Sequence, residues 1–200
     1  MANRIMESSR GYDAISLEDD FLRNRKVFLD DTVTPESVNE LIKQLMFLDN
    51  EDSGAEITLY INSPGGSVQD GLALYDVLRL VKAPVRTVAT GMAASMGAVL
   101  FLAGDKREML KHSKIMIHDP SFHSKNIGGQ KSHEIQHALD DLNECREALA
   151  QIIAERTGKS IEEVYEVTAN DTYFNASEAL EWGLATAIIG EKKKGGRRHE

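Results

Sequence analysis

Ile57-Thr58-Leu59-Tyr60-Ile61-Asn62-Ser63-Pro64-Gly65-Gly66 is the stretch whose reading decides the fold. Five β-favouring residues run straight into a Pro/Gly turn, the pattern of a strand that ends abruptly. Beyond the turn, Leu72, Tyr75, Leu78 and Val81 recur at helical spacing. Pro84 stops that pattern, and Val85-Arg86-Thr87-Val88-Ala89 follows as another strand. Strand, helix, strand over this length is the size of a βαβ crossover, which puts both strands parallel in one sheet.

The logic extends in both directions. Upstream, Thr34 is a candidate N-cap with Pro35 at the first helical position, and Val38, Leu41, Ile42, Leu45 and Met46 share one helical face. Downstream, a strand leads through Gly91-Met92-Ala93-Ala94-Ser95-Met96-Gly97 into an apolar helix, Ala98 to Ala103. Lys114 to His118 reads as a short strand, and the polar piece Asp119 to Gln130, with Gly128 and Gly129, reads as a loop or flap. Ser132 to Thr157 is the longest helix, with Ile135, Leu139, Leu142, Cys145, Leu149 and Ile152 along one side. Gly158 is a natural stop for it, and Ser160 with Glu163 makes a capping box for a further short helix. Ser177 to Trp182 is a last helix ending at Gly183, before a final strand within Leu184 to Ile189. No internal repeat is present. The class is α/β with mostly parallel crossovers.

The 200 residues carry 32 acidic against 23 basic side chains, a formal charge of −9. That balance argues against a general nucleic-acid binder, which needs a basic face for phosphates. The one basic cluster, Lys192, Lys193, Lys194, Arg197 and Arg198, has no apolar residue to anchor it and reads as a disordered tail over 191–200. With 42% apolar and 28% charged residues the chain has the composition of one globular domain. The single cysteine, Cys145, excludes an intramolecular disulfide, and there is no Cys-rich metal motif. Met1 to Arg10 lacks the apolar core of a secretory signal, and the longest nearly apolar stretch, Gly91 to Gly104, is too short to span a bilayer. The expectation is a soluble, cytoplasmic protein without membrane contact.

Two glycine-rich turns follow predicted strands, where open α/β sheets place their sites. Gly65-Gly66 offers unobstructed N–H groups for a developing oxyanion, although Gly-Gly turns are common structural features. No P-loop lysine accompanies them, which disfavours phosphate. Ser95 sits among small residues where a strand turns into a helix, the physical setting of a nucleophile elbow; an N-capping serine fits the same letters. A serine nucleophile needs a base and a group to orient it. His118, at an apolar strand end, is the candidate base. Asp171, in Asn170-Asp171-Thr172-Tyr173-Phe174, is the candidate carboxylate, with a turn or cap as its ordinary alternative.

Taken together, Tyr60-Ile61-Asn62-Ser63-Pro64-Gly65-Gly66-Ser67-Val68 and Gly91-Met92-Ala93-Ala94-Ser95-Met96-Gly97 resemble the two signature motifs of the ClpP family, the proteolytic subunits of Clp proteases. Met116-Ile117-His118, Glu155-Arg156-Thr157-Gly158 and Ala176-Ser177-Glu178-Ala179 are similar too, so the resemblance runs from Arg25 to Ile189. It implies a ClpP/crotonase-like α/β fold of repeated β-β-α units with a protruding helical handle. It implies Ser95 as nucleophile, His118 as general base, Asp171 as orienting carboxylate, and Gly66 and Met96 as oxyanion-hole donors. Gly66, Ser67 and Val68 would pair with an extended substrate backbone, together with the handle loop. Tyr60 matches a residue of the cleft where ATPase loops dock. The implied organisation is a flexible N-terminal axial segment over 1–24, a peptidase domain over 25–190 with its handle at 119–157, and the tail. Implied partners are copies of the same chain in two stacked heptameric rings (a tetradecamer), a Clp-type ATPase unfoldase, and unfolded polypeptides. No metal or other cofactor is implied.

Four places differ from the family's usual pattern. Asp119 follows His118 where Gln is usual, and the loop through Ser121 to Ile127 is longer. Ala169-Asn170 stands where many relatives carry an Asp-Arg pair, and the segment after Tyr12-Asp13 is longer and acidic at Glu18, Asp19 and Asp20. Alternatives are a phage-type head-maturation protease of the same fold, a non-catalytic ring subunit, or a crotonase-class hydratase. The complete Ser/His/Asp set argues against the last two.

Overall fold

The computed structural model describes residues 3–8, 11–121 and 131–190. The basic tail and all of the expected flap beyond Ser121 up to Gln130 lie outside the described residues. In chain order the elements are β1 (Asn3–Ser8), β2 (Gly11–Ser16), α1 (Leu17–Arg23), β3 (Lys26–Leu29), α2 (Pro35–Glu51), β4 (Ile57–Ser63), α3 (Val68–Leu80) and β5 (Val85–Ala94). They continue with α4 (Met96–Leu102), β6 (Lys106–Leu110), β7 (Lys114–Ile117), α5 (Ser132–Thr157), α6 (Ile161–Thr168), β8 (Thr172–Asn175), α7 (Ala176–Trp182) and β9 (Ala187–Ile189).

Five strands lie in the order β3-β4-β5-β6-β9, every neighbouring pair parallel. β4, α3 and β5 form the expected crossover. β5 is one ten-residue strand rather than the two short ones expected around Ala89 and Gly91, and its length lets it fork. Its first half pairs with β6, whereas Met92, Ala93 and Ala94 pair in parallel with Lys114, Ile115 and Met116 of β7. β8 then pairs antiparallel with β7, ending at Ile117↔Thr172. That fork positions the site.

The core lies between the sheet and helices α2, α3 and α4, where Leu45, Leu48, Leu59, Leu74 and Phe101 are fully buried. Every residue of α4 is buried, as its unbroken apolar sequence demands. Two expected faces are rotated by a fraction of a turn. On α2 the buried set is Val38, Leu41, Leu45 and Leu48, while Met46 is 57% exposed. On α3, Leu74 is buried in place of Leu72 and Val81, which only flank the core.

α5 has the expected bounds, but its apolar stripe does not pack as core throughout. Leu149, Ala150 and Ile153 are buried at its C-terminal base, whereas Ile135 and Leu139 are exposed. At 1.5 Å per residue the helix is about 39 Å long, and its first half reaches beyond the body of the protomer.

Ahead of Thr34 the chain forms an antiparallel hairpin of β1 and β2, the short helix α1 and the strand β3. Ser16 caps that helix by accepting from the Asp19 N–H at 3.0 Å. The acidic run Glu18, Asp19 and Asp20 fills its first turn, where negative charge opposes the helix dipole.

Candidate active site

The strand register brings three side chains to one edge. Ala94 lies beside Met116 in the parallel pair β5–β7, and the Ser95 N–H donates to the Met116 carbonyl at 2.8 Å. Ile117 faces Thr172 in the antiparallel pair β7–β8, so the next residues outward are His118 and Asp171. Three strand ends therefore converge. Ser95 Oγ lies 2.8 Å from His118 Nε2, and His118 Nδ1 lies 3.0 Å from Asp171 Oδ1. With Nδ1–H donated to the carboxylate, Nε2 is left as the acceptor for the Ser95 hydroxyl.

Ser95 precedes α4 but is not its cap. Its side chain makes no capping bond, because the hydroxyl is engaged by His118. Its backbone sits at φ 53° and ψ −122°, a conformation that side-chain-bearing residues rarely adopt. That bend points Oγ off the end of the sheet, which a relaxed helix entry would not do.

The Gly65-Gly66 turn touches this bend. A Cβ on Gly65 would stand 2.7 Å from the Ala94 carbonyl oxygen and from Ser95 Cβ, and 2.9 Å from the Met96 nitrogen. Only glycine permits that approach, and its φ of +93° also requires it. Ser63, buried at the end of β4, braces the turn: its hydroxyl donates to the Asp31 carbonyl at 2.6 Å and accepts from the Gly65 N–H at 3.1 Å. Val33 forms an isolated parallel bridge with Gly66, its N–H donating to Gly65 and its carbonyl accepting from Ser67. Because that bridge uses the two neighbours of Gly66, the N–H of Gly66 itself faces the other way. The Met96 N–H belongs to the first turn of α4, where no intrahelical acceptor exists.

Ser67 caps α3 by accepting from the Asp70 N–H, and Val68 starts that helix at the edge of a small apolar cleft. Val99, Ile117, Leu149 and Ile153 complete its walls around Ser95 and His118. Tyr60 lies away from this centre. Its ring stacks on Phe28 at 5.1 Å, and Phe28 tilts against Phe21 at 4.9 Å; Phe21 and Phe28, but not Tyr60, line a groove between α1 and β3. Sequence reasoning missed Phe21 and Phe28, and it missed Val33 and Ser63, whose bracing role no local pattern signals. Among the described residues no three His, Cys, Asp or Glu side chains gather where they could hold a metal ion, and no helix is long and apolar enough to cross a membrane.

Residues 8–192 match the family model described as Clp protease. The chain belongs to the Clp protease family. It is 40% identical over 192 residues to the ATP-dependent Clp protease proteolytic subunit 2 of Parasynechococcus marenigrum (strain WH8102), covering 94% of each chain. It is 41% identical over 192 residues to proteolytic subunit 1 of Prochlorococcus marinus (strain NATL2A), covering 94% of this chain and 95% of that one. The ATP-dependent Clp protease proteolytic subunit of Ligilactobacillus salivarius (strain UCC118) is 41% identical over 194 residues, with 95% of each covered. Membership of the Clp protease family accounts for a mixed α/β fold built on a parallel sheet.

Proposed function

We propose that the chain is a serine endopeptidase, the degradative subunit of a Clp-type protease that hydrolyses unfolded polypeptides to short peptides. The observation that carries this reading is the continuous hydrogen-bonded chain from Ser95 Oγ through the His118 ring to Asp171. Ser95 Oγ attacks the scissile carbonyl carbon while its proton passes to His118 Nε2. The negative charge that develops on the carbonyl oxygen is received by the N–H groups of Gly66 and Met96, fixed donors that need no reorganisation. The imidazolium, steadied by Asp171, then donates its proton to the departing amine, leaving an acyl-enzyme on Ser95. A water that gives its proton to His118 attacks the ester, and Ser95 recovers its proton as the acid product leaves. His118 must be neutral at the start of this cycle, because only an unprotonated Nε2 can accept the Ser95 proton.

Substrate backbone lies extended along Gly66, Ser67 and Val68, with one side chain in the apolar cleft beside Ser95. Stacked heptameric rings of this chain enclose the sites, and a Clp-type ATPase delivers unfolded chains through contacts at the groove beside Tyr60. The setting is the cytoplasm. Support for these assembly roles comes from the relatives' names, from the aromatic stack at Tyr60 and from the reach of α5.

The deciding experiment is hydrolysis of short fluorogenic peptides by the purified protein beside its Ser95→Ala variant. Cleavage that falls by a factor on the order of 10³ or more in Ser95→Ala is the expected result. Cleavage that survives the substitution overturns the mechanism, and no cleavage by either protein favours a non-catalytic ring subunit.

A further inference from the structure

Beyond Ile117↔Thr172 the β7–β8 ladder ends, so His118 and Asp171 extend past the last paired residues. What holds them at 3.0 Å is found one residue further along. The Asp119 N–H donates to the Thr168 carbonyl at 2.7 Å, and the Thr168 hydroxyl donates to Asp119 Oδ1 at 2.6 Å. Thr168 is buried and is the last residue of α6, three positions before Asp171. Thr172 stiffens the intervening turn by donating its hydroxyl to the Val167 carbonyl at 2.7 Å. The other oxygen of Asp119 accepts from Arg146 Nε at 2.7 Å, and the Arg146 guanidinium lies 4.1 Å from the centre of the Tyr165 ring. Arg146 belongs to α5 and Tyr165 to α6.

Building on the serine-peptidase reading, we propose that Asp119 is a positioning residue: its two carboxylate oxygens clamp the α6 turn that carries Asp171 and the base of α5 to the strand end that carries His118. The Asp119–Arg146 pair is partly exposed, so its charge attraction alone contributes little to folding. Its consequence is geometric. Displacing either member of the His118–Asp171 pair by a fraction of an ångström detunes the base, and small misplacements of this kind carry large rate penalties. Because Arg146 stands on the helix whose other end is exposed, a shift of α5 reaches the strand end of His118 through this ion pair as well as through Leu149 and Ile153 in the cleft wall.

The test measures kcat and KM on a short fluorogenic peptide, and the rate of Ser95 labelling by a fluorophosphonate, with native mass followed by sedimentation. Asp119→Ala is expected to lower kcat and the labelling rate together by about 10- to 100-fold, with KM within about twofold of the parent. Asp119→Asn keeps an oxygen for Thr168 but drops the charge that holds Arg146. It and Arg146→Met are each expected to lose about 3- to 10-fold, and the double variant no more than either alone, because both cut one link. Where Asp119→Ala changes the native mass, the isosteric Asp119→Asn is the variant that decides. Parental kcat and labelling in these variants overturn the proposal, as does a loss confined to KM, or losses that multiply in the double variant. In each of those cases Ser95-dependent cleavage by the parent remains. A parent without Ser95-dependent cleavage overturns the serine-peptidase reading and this inference with it.

Discussion

Ser95 holds φ 53° and ψ −122° although it carries a side chain, at a cost on the order of 1–3 kcal/mol. The Ser95 N–H bond to Met116 and the wholly buried α4 behind it keep the bend in place. A strained nucleophile is a separable trade between stability and activity, and two substitutions expose it. Ser95→Ala removes the hydroxyl but keeps a Cβ in the strained conformation. Ser95→Gly removes both, so it is expected to be more stable than Ser95→Ala by about 1 kcal/mol while equally inactive. Thermal unfolding of the two variants at one protein concentration reads the difference. Equal midpoints, or a lower one for the glycine variant, would show that the bend stores no strain.

At the scale of elements, α6 matters because it ends at Thr168 and so aims the turn bearing Asp171. Its start is a reciprocal capping box: Ser160 Oγ accepts from the Glu163 N–H, and the Glu163 carboxylate accepts from the Ser160 N–H at 3.0 Å. That backbone bond first, then the hydrogen bond from Lys159, holds the Glu163 carboxyl below the ordinary carboxylate range. A depressed folded-state value means stabilisation that is present above the unfolded pKa and disappears as pH falls through the folded one. Glu163→Gln is therefore expected to unfold more easily than the parent at pH 7, with the gap closing in acid; a gap that persists unchanged at pH 3 contradicts this account. Both halves of the capping box were legible as Ser160 and Glu163, as was the stop of α5 at Gly158, because caps are local chemistry. β6 was not. Its run Lys106-Arg107-Glu108 looks like surface, and it forms a strand because neighbours answer those charges: Glu56 bonds Lys106 at 2.7 Å, Arg86 pairs with Glu108, and Arg107 donates to the carbonyls of Gly183 and Leu184. β8 was missed in the same way, and with it the register that joins Asp171 to His118. Ser95, His118 and Asp171 could each be named from the sequence. The pairing that sets them side by side lies in long-range ladders that no local pattern encodes.

At the scale of the whole molecule, α5 poses a packing problem that the protomer leaves open. Helical periodicity shows that Ile135, Leu139 and Leu142 share a face with Leu149, but not what that face meets. The protomer buries only the C-terminal end of the stripe and leaves Ile135 38% and Leu139 43% exposed. Burying a fully exposed large aliphatic side chain contributes about 1.5–3 kcal/mol, and covering the exposed fraction that remains on Ile135 and Leu139 contributes roughly 0.6–1.3 kcal/mol each, a term that repeats on every subunit of an assembly. In the ring assembly proposed above, the stripe is what one subunit offers to another. Ile135→Asp combined with Leu139→Asp leaves the buried base of α5 untouched and replaces the stripe with charge. The expected outcome is a folded protein of lower native mass by sedimentation, with peptide hydrolysis reduced in proportion to the assembly lost. Raising the salt concentration distinguishes this from an electrostatic contact: association through the stripe persists in high salt, whereas contacts between exposed charges weaken as the screening length shortens. A double variant that keeps the parental mass and activity assigns the stripe no part in assembly, and α5 would then owe its length to the site at its base alone.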